Sequence, residues 1–233
     1  GMARTAMGGF QGVFASQSAS DLGAVAIRAA VARAGIAPDA VEEVIMGCVL
    51  PAGQGQAPAR QAAIKGGLPL AAGATTINKM CGSGMKALML ANDLLKAGAA
   101  KVMVAGGMES MSNAPYVIPK ARGGLRLGHG EIKDHMFLDG LEDAYDKGQL
   151  MGVFAEACAD KYGFSRAAQD EYAIASLTRA QQAIHSGAFA GEIAPVTISG
   201  RKGDEVVSVD EQPLKANLDK IPTLKPAFRK DGT

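Results

Sequence analysis

Apolar residues recur along the first 110 positions in two alternating rhythms, one helical and one extended. "DLGAVAIRAAVARAG" places Leu22, Val25, Ala29 and Ala32 or Arg33 at helical spacing, with Ser20 and Asp21 as caps and Gly35 as terminator. "VEEVIMGCVL" follows as a continuous apolar run, which predicts a strand buried on both faces. "PARQAAIKGG" predicts a short helix, "ATTINKM" a second strand, "SGMKALMLANDLLKAG" a third helix and "KVMVAGG" a third strand. Strand and helix in alternation, with apolar strands, predict an α/β fold: a parallel βαβ core sheet covered by helices.

The rhythm breaks after Gly107. Residues 113–150 carry turn formers and scattered charges with weak periodicity, and so long an irregular stretch is usually functional or held by a partner. A strong amphipathic helix returns from Ser165, its cap, to Gly187, its stop. "EIAPVTIS" and "EVVSVDE", joined by "GRKGD", predict a hairpin. The break separates an α/β domain, residues 1–115, from a loop-rich α+β region, residues 116–233.

Composition narrows the classes. A chain of 233 residues, 48% hydrophobic and 20% charged, folds without disulfide or metal staples. A net charge of +1 argues against nucleic acid as a partner. Lys plus Arg exceed Asp plus Glu by 10 to 6 in residues 1–120, against 14 to 17 in the remainder, a modest asymmetry between the two regions. Cys48, Cys81 and Cys158 are odd in number and widely spaced, which suits a reducing cytosol and fits neither a disulfide framework nor a zinc site. His129, His135 and His185 lack metal spacing and read as solvated surface residues. No apolar run approaches the roughly 20 residues of a membrane span, and no export signal leads the chain.

Cys81 stands apart from the other two thiols. It falls between a predicted strand and a predicted helix, followed at once by Gly-Ser-Gly. Open α/β sheets present their functional groups where strands end and helices begin. The dipole and unpaired N–H groups of a helix N-terminus stabilise a thiolate. Gly82 and Gly84 would let the backbone turn and a substrate approach the sulfur. The Cys81 N–H would itself face a developing oxyanion. The competing reading is a small buried hydrophobe at a tight turn. That packing reading holds for Cys48, inside an apolar strand, and for Cys158, inside a helix.

"INKMCGSGMKAL" resembles the acyl-enzyme cysteine motif of the thiolases, the acetyl-CoA acetyltransferase family. "ARTAMGGFQG", "VIMGCVLPAGQGQAPARQAAIKGGLP", "VAGGMESMSNAPYV" and "RKGD" with "TLKPAFRKDGT" resemble the same family in the same order along the chain. The resemblance implies a thiolase-like fold with an inserted loop domain, and a nucleophile role for Cys81. Its thiolate would take an acyl group from acyl-CoA, and a second acetyl-CoA would then take that group to give a 3-ketoacyl-CoA. Thiolysis is the reverse.

Further roles follow from the resemblance alone. Leu141, Met151, Lys215 and Phe228 match positions that hold coenzyme A, which enters as substrate and product, so no cofactor and no metal is implied. Residues 122–135 match a protruding loop that assembles homotetramers. Leu150 replaces a histidine common in short-chain members, which leaves a broader-chain 3-ketoacyl-CoA thiolase as an alternative. The family's first strand and C-terminal domain, with its histidine base and second cysteine, have no counterpart here. The chain taken alone is therefore expected to be catalytically incomplete, and a non-catalytic interaction subunit is the rival from another class. A cysteine hydrolase or ketosynthase-like protein is a further rival. Family context implies a cytoplasmic role in fatty acid metabolism.

Overall fold

The computed structural model describes residues 1–201 and 203–233; Lys202, in the "GRKGD" connection, lies outside the described residues. Helix α1 (Ala19–Ala34) is capped by Ser18 rather than by Ser20 or Asp21. Ser18 Oγ accepts from Asp21 N at 3.2 Å and Asp21 Oδ2 accepts from Ser18 N at 3.3 Å, a reciprocal capping box. Asp21 is thus the third helical residue, and Ser20 is buried against the neighbouring helix instead of capping. Gly35 ends α1 in the left-handed region, φ 66°, as expected of a C-terminal glycine.

Three parallel strands follow, in the order β2–β1–β3: β1 (Glu43–Gly47), β2 (Gly73–Ile77) and β3 (Met103–Gly107). Gly47 pairs with Ile77 on one side and Gly107 on the other, so all three strands end level. Burial on both faces holds for β1 only; β2 and β3 flank it and are half-buried along most of their length. Helix α2 (Pro58–Lys65) packs on α1, and the two bury Ile27, Val31, Ala59 and Ala62 against Val44 and Met46. Helix α3 (Ser83–Lys96) packs on β1 and β3 and buries little besides Ser83, Ala87 and Ala91. Its Met85, Leu88 and Met89 are exposed.

The irregular stretch is organised by a two-residue antiparallel pair, β4 (Tyr116–Val117) with β5 (Lys133–Asp134), closing an arm over residues 118–132. A π-helical turn, Phe137–Leu141, follows. Helices α4 (Met151–Tyr162) and α5 (Arg166–His185) come next. Ser165 caps α5 as expected, its Oγ accepting from Ala168 N at 3.2 Å. No side chain of α5 is fully buried, although its sequence promised a strongly amphipathic helix. Its main packing partners are the Leu218–Thr223 segment and α6 (Glu211–Lys215), two short elements that do not enclose a row of side chains.

The expected hairpin is present, β6 (Val196–Gly200) antiparallel to β7 (Gly203–Val207). It shares a second core with the N-terminal segment, in which Ala6 and Phe14 pack with Ile193, Val196 and Val207. Arg4 fastens the two: Nη1 and Nη2 donate to the Asp210 carboxylate at 2.7 and 2.9 Å, and Nε to Glu192 Oε1 at 2.6 Å. Charge-assisted, partly buried pairs of this kind are the strong members of their class. The carboxylate of Asp210 is held below the usual range by Arg4, burial opposing. Packing therefore joins the first residues of the chain to residues 189–211.

Candidate active site

The site forms where the three level strand ends meet α3. A side chain on Gly47 is excluded because its Cβ would stand 2.5 Å from Ser83 Cβ and 2.6 Å from Ser83 C. A Cβ on Gly107 would stand 3.2 Å from Gly84 Cα. Glycine at these two positions lets the first turn of α3 lie directly on the sheet. Gly106 itself has only ordinary contacts, its Cβ position 3.5 Å from Met46 Sδ.

The chain from β2 to α3 is a compact turn. Asn78 Oδ1 accepts from Met80 N at 2.9 Å, and Ser83 Oγ accepts from Lys79 N at 2.8 Å while donating to Met80 O at 2.5 Å. Met80, not Gly82, takes the left-handed conformation, φ 49°; Gly82 is the N-cap of α3 with φ −88°. The sharp turn assigned to Gly82 is thus made two residues earlier. A left-handed methionine is uncommon, and such strain collects where a side chain must be aimed. Cys81, the next residue, is exposed and stands immediately ahead of the N-cap.

Cys81 opens on a cavity of about 410 Å³, walled by Leu50, Met80, Met108, Met136 and Leu141. The lining is largely apolar, the setting in which an acyl group is stable and water is scarce. Cys48 lines the same cavity but is 1% exposed, in keeping with the packing role expected of it. Burial, then the Glu109 carboxylate, pushes its thiol up to about 11, so it is protonated and inert. Cys158 departs from expectation: it is exposed on the outer side of α4, which presents only Glu156 and Ala159 to the interior.

Two participants escaped the sequence pattern. Glu109 accepts from Val49 N at 2.7 Å and Leu50 N at 3.2 Å, holding the segment after β1 against the segment after β3. A lone acid two residues after an apolar strand, as in "GGMES", is the signal that points to it. His135, expected on the surface, is 5% exposed, because residues 50–54 and the π-helical turn enclose its ring. His129 and His185 are exposed as expected.

The four residues matched to coenzyme A fall in three places. Leu141 shares the cavity with Cys81. Met151 opens α4, half-exposed, and the Phe228 ring lies on Gly152, where a Cβ would stand 2.0 Å from it. The segment carrying Phe228 is strapped to α4: Arg229 donates to both Asp160 oxygens at 2.6 and 2.7 Å, and Thr233 N to Glu156 Oε1 at 3.0 Å. Lys215 is separate. It pairs with Glu211 in a groove formed with Val13 and β7 that none of the other three lines. Leu150 is the N-cap of α4, without a side-chain cap bond. Among the described residues no group of three or more His, Cys, Asp or Glu gathers as a metal site, and no helix is long and apolar enough to cross a membrane.

An exposed cysteine at a strained strand-to-helix turn, lining a largely apolar cavity at the ends of a parallel sheet, is the candidate site. The model of the thiolase N-terminal domain matches residues 1–233, and the chain belongs to the thiolase family through that domain. An acetyl-CoA acetyltransferase of Cupriavidus necator is 52% identical over 233 residues, covering 99% of this chain and 59% of that protein. One from Pseudomonas aeruginosa is 50% identical over 232 residues, with the same coverage of each, 99% and 59%. The mitochondrial acetyl-CoA acetyltransferase of Rattus norvegicus is 49% identical over 230 residues, covering 98% of this chain and 54% of that protein. The chain thus spans a little over half the length of these relatives.

Proposed function

We propose that the chain supplies the nucleophile half of an acetyl-CoA C-acetyltransferase, with Cys81 carrying the acyl group. The observation behind this reading is Cys81 exposed ahead of the α3 N-cap and facing the 410 Å³ cavity. The Cys81 thiolate attacks the thioester carbonyl of acyl-CoA. The carbon–sulfur bond to coenzyme A breaks, and the departing thiolate takes a proton. A second acetyl-CoA, deprotonated at its α-carbon, attacks the Cys81 thioester, releasing 3-ketoacyl-CoA and returning the thiolate. The Cys81 N–H is the nearest candidate donor for the oxyanion. On this reading the resemblance implies that the base and the α-proton acid/base come from outside residues 1–233.

Coenzyme A would run from Cys81 past Leu141 toward Met151 and Phe228, a path supported by the shared cavity and by the strap on α4. Lys215 draws no such support, its ammonium being committed to Glu211. The arm over residues 122–135, with Leu125, Leu127 and Ile132 exposed, fits assembly into a homotetramer. A cytoplasmic enzyme of fatty acid metabolism is the setting that follows from this reading, acetyl-CoA being its first substrate. Replacing Cys81 with Ser in the full-length protein tests the core of it. Acetoacetyl-CoA thiolysis should fall by at least about 10⁴-fold, since the units of a nucleophilic mechanism fail together. Retained turnover would reject Cys81.

A further inference from the structure

We infer that His135 and Asp139 are positioning residues for the acyl-CoA cavity, locking the Leu50–Gln54 turn to the Phe137–Leu141 turn so that both walls face Cys81. The inference rests on the reading of Cys81 as nucleophile. The His135 ring is enclosed, and both nitrogens are engaged: Nδ1 lies 2.6 Å from Asp139 Oδ2, and Ala52 N donates to Nε2 at 3.4 Å. With Nε2 facing the Ala52 N–H, Nδ1 is the ring nitrogen left to meet the carboxylate. One residue therefore ties three chain segments, because its backbone N also donates to Pro115 O at 3.1 Å.

Both tied segments reach the cavity. Leu50 comes from the first turn and Met136, Gly140 and Leu141 from the second, and all four line it with Cys81. They meet tightly, since a Cβ on Gly140 would stand 3.2 Å from Leu50 Cδ2. Within the first turn, Gln54 Nε2 donates to Leu50 O at 2.8 Å, so a force on Ala52 is passed to Leu50. A π-helical turn is a strained element that needs outside support, and such turns concentrate at functional sites. The Asp139 side chain is 51% exposed, so nothing in the core depends on its volume. Its service to His135 is what remains to explain its position. Walls fixed before the ligand arrives spare the binding step their ordering cost.

The test uses the full-length protein, with steady-state thiolysis of acetoacetyl-CoA and the rate of Cys81 alkylation by iodoacetamide. Asp139→Ala should raise KM about 10-fold, the size of one lost hydrogen bond, with a smaller change in kcat. Alkylation of Cys81 should be unaffected, because so small a reagent needs no fixed wall. Asp139→Asn keeps an acceptor oxygen for Nδ1–H and should recover most of the loss. A parental KM in Asp139→Ala would overturn the inference. So would equal losses of kcat and alkylation rate together with lowered thermal stability, which mark a merely structural role. If Cys81→Ser is inactive while Asp139→Ala keeps the parental KM, only this inference falls. If Cys81→Ser turns over, the underlying reading falls with it.

Discussion

Gly47 and Ser83 touch backbone to side chain: the last residue of β1 lies so close under the first residue of α3 that a methyl group on Gly47 would stand 2.5 Å from Ser83 Cβ. The Ser83 hydroxyl in turn bonds Lys79 N and Met80 O, the two residues ahead of Cys81. Gly47→Ala should therefore push α3 off the sheet and move the turn that aims the cysteine. Overpacking of this kind costs about 1–3 kcal/mol. Thermal unfolding should register the loss, and Cys81 alkylation should change with it. Gly106→Ala, where a Cβ meets the flexible Met46 side chain at 3.5 Å and beyond, should be much milder.

The three thiols should separate in two groups. Cys81 and Cys158 are exposed and Cys48 is buried, so iodoacetamide under native conditions should label the first two and spare the third. Peptide mapping after limited reaction reads this directly. Labelling of Cys48 in folded protein would contradict the packing around Glu109 and Gln54.

Cys48 also predicts an alkaline effect. Its thiol is raised from 9.0 to about 11 in the folded state by burial and by Glu109. Between those values the unfolded chain loses the proton that the folded chain keeps, so unfolding is favoured as pH rises. Stability should fall from about pH 9 to about pH 11, and Cys48→Ala should flatten that part of the profile. Urea midpoints of both proteins across the range give the comparison.

Glu211 works at the opposite end of the scale. Lys215, then Gly9 N and Val13 N, lower its carboxyl to about 2. The two N–H groups donate to the same oxygen at 2.7 and 3.0 Å, pinning the N-terminal segment to α6. A depressed carboxyl contributes stability above its unfolded value and loses it as pH falls toward the folded one. Glu211→Gln should thus be less stable than the parent at pH 7, and the gap should close as pH drops from 4.5 to about 2. A gap independent of pH would show that shape, not charge, holds the segment.

The arm between β4 and β5 carries Leu127 fully exposed, with Leu125 and Ile132 beside it. If this arm builds the proposed tetramer, deleting Gly123 to Gly130 from the full-length protein should leave a dimer by light scattering. An unchanged tetramer would move assembly elsewhere.

Local chemistry sufficed for the elements and for singling out Cys81. Helical and extended rhythms marked α1, β1, α2, β2, α3, β3 and the β6–β7 hairpin, because periodicity and turn residues act within a few positions of one another. Cys81 was legible for the same reason: strand, cysteine, glycine and helix follow one another in twelve residues, "INKMCGSGMKAL". The tertiary structure decided what distance along the chain conceals. Cys48 and Glu109 are 61 positions apart, and Ala52 and His135 are 83 apart. No local pattern shows that a histidine in an irregular stretch is enclosed, or that a helical cysteine such as Cys158 faces outward. Burial is a property of what arrives from elsewhere in the chain. Even the left-handed turn fell to Met80 rather than to Gly82, two residues on, because the Ser83 hydroxyl and the Asn78 amide oxygen, held by the packing of α3 on Gly47, fix the backbone there.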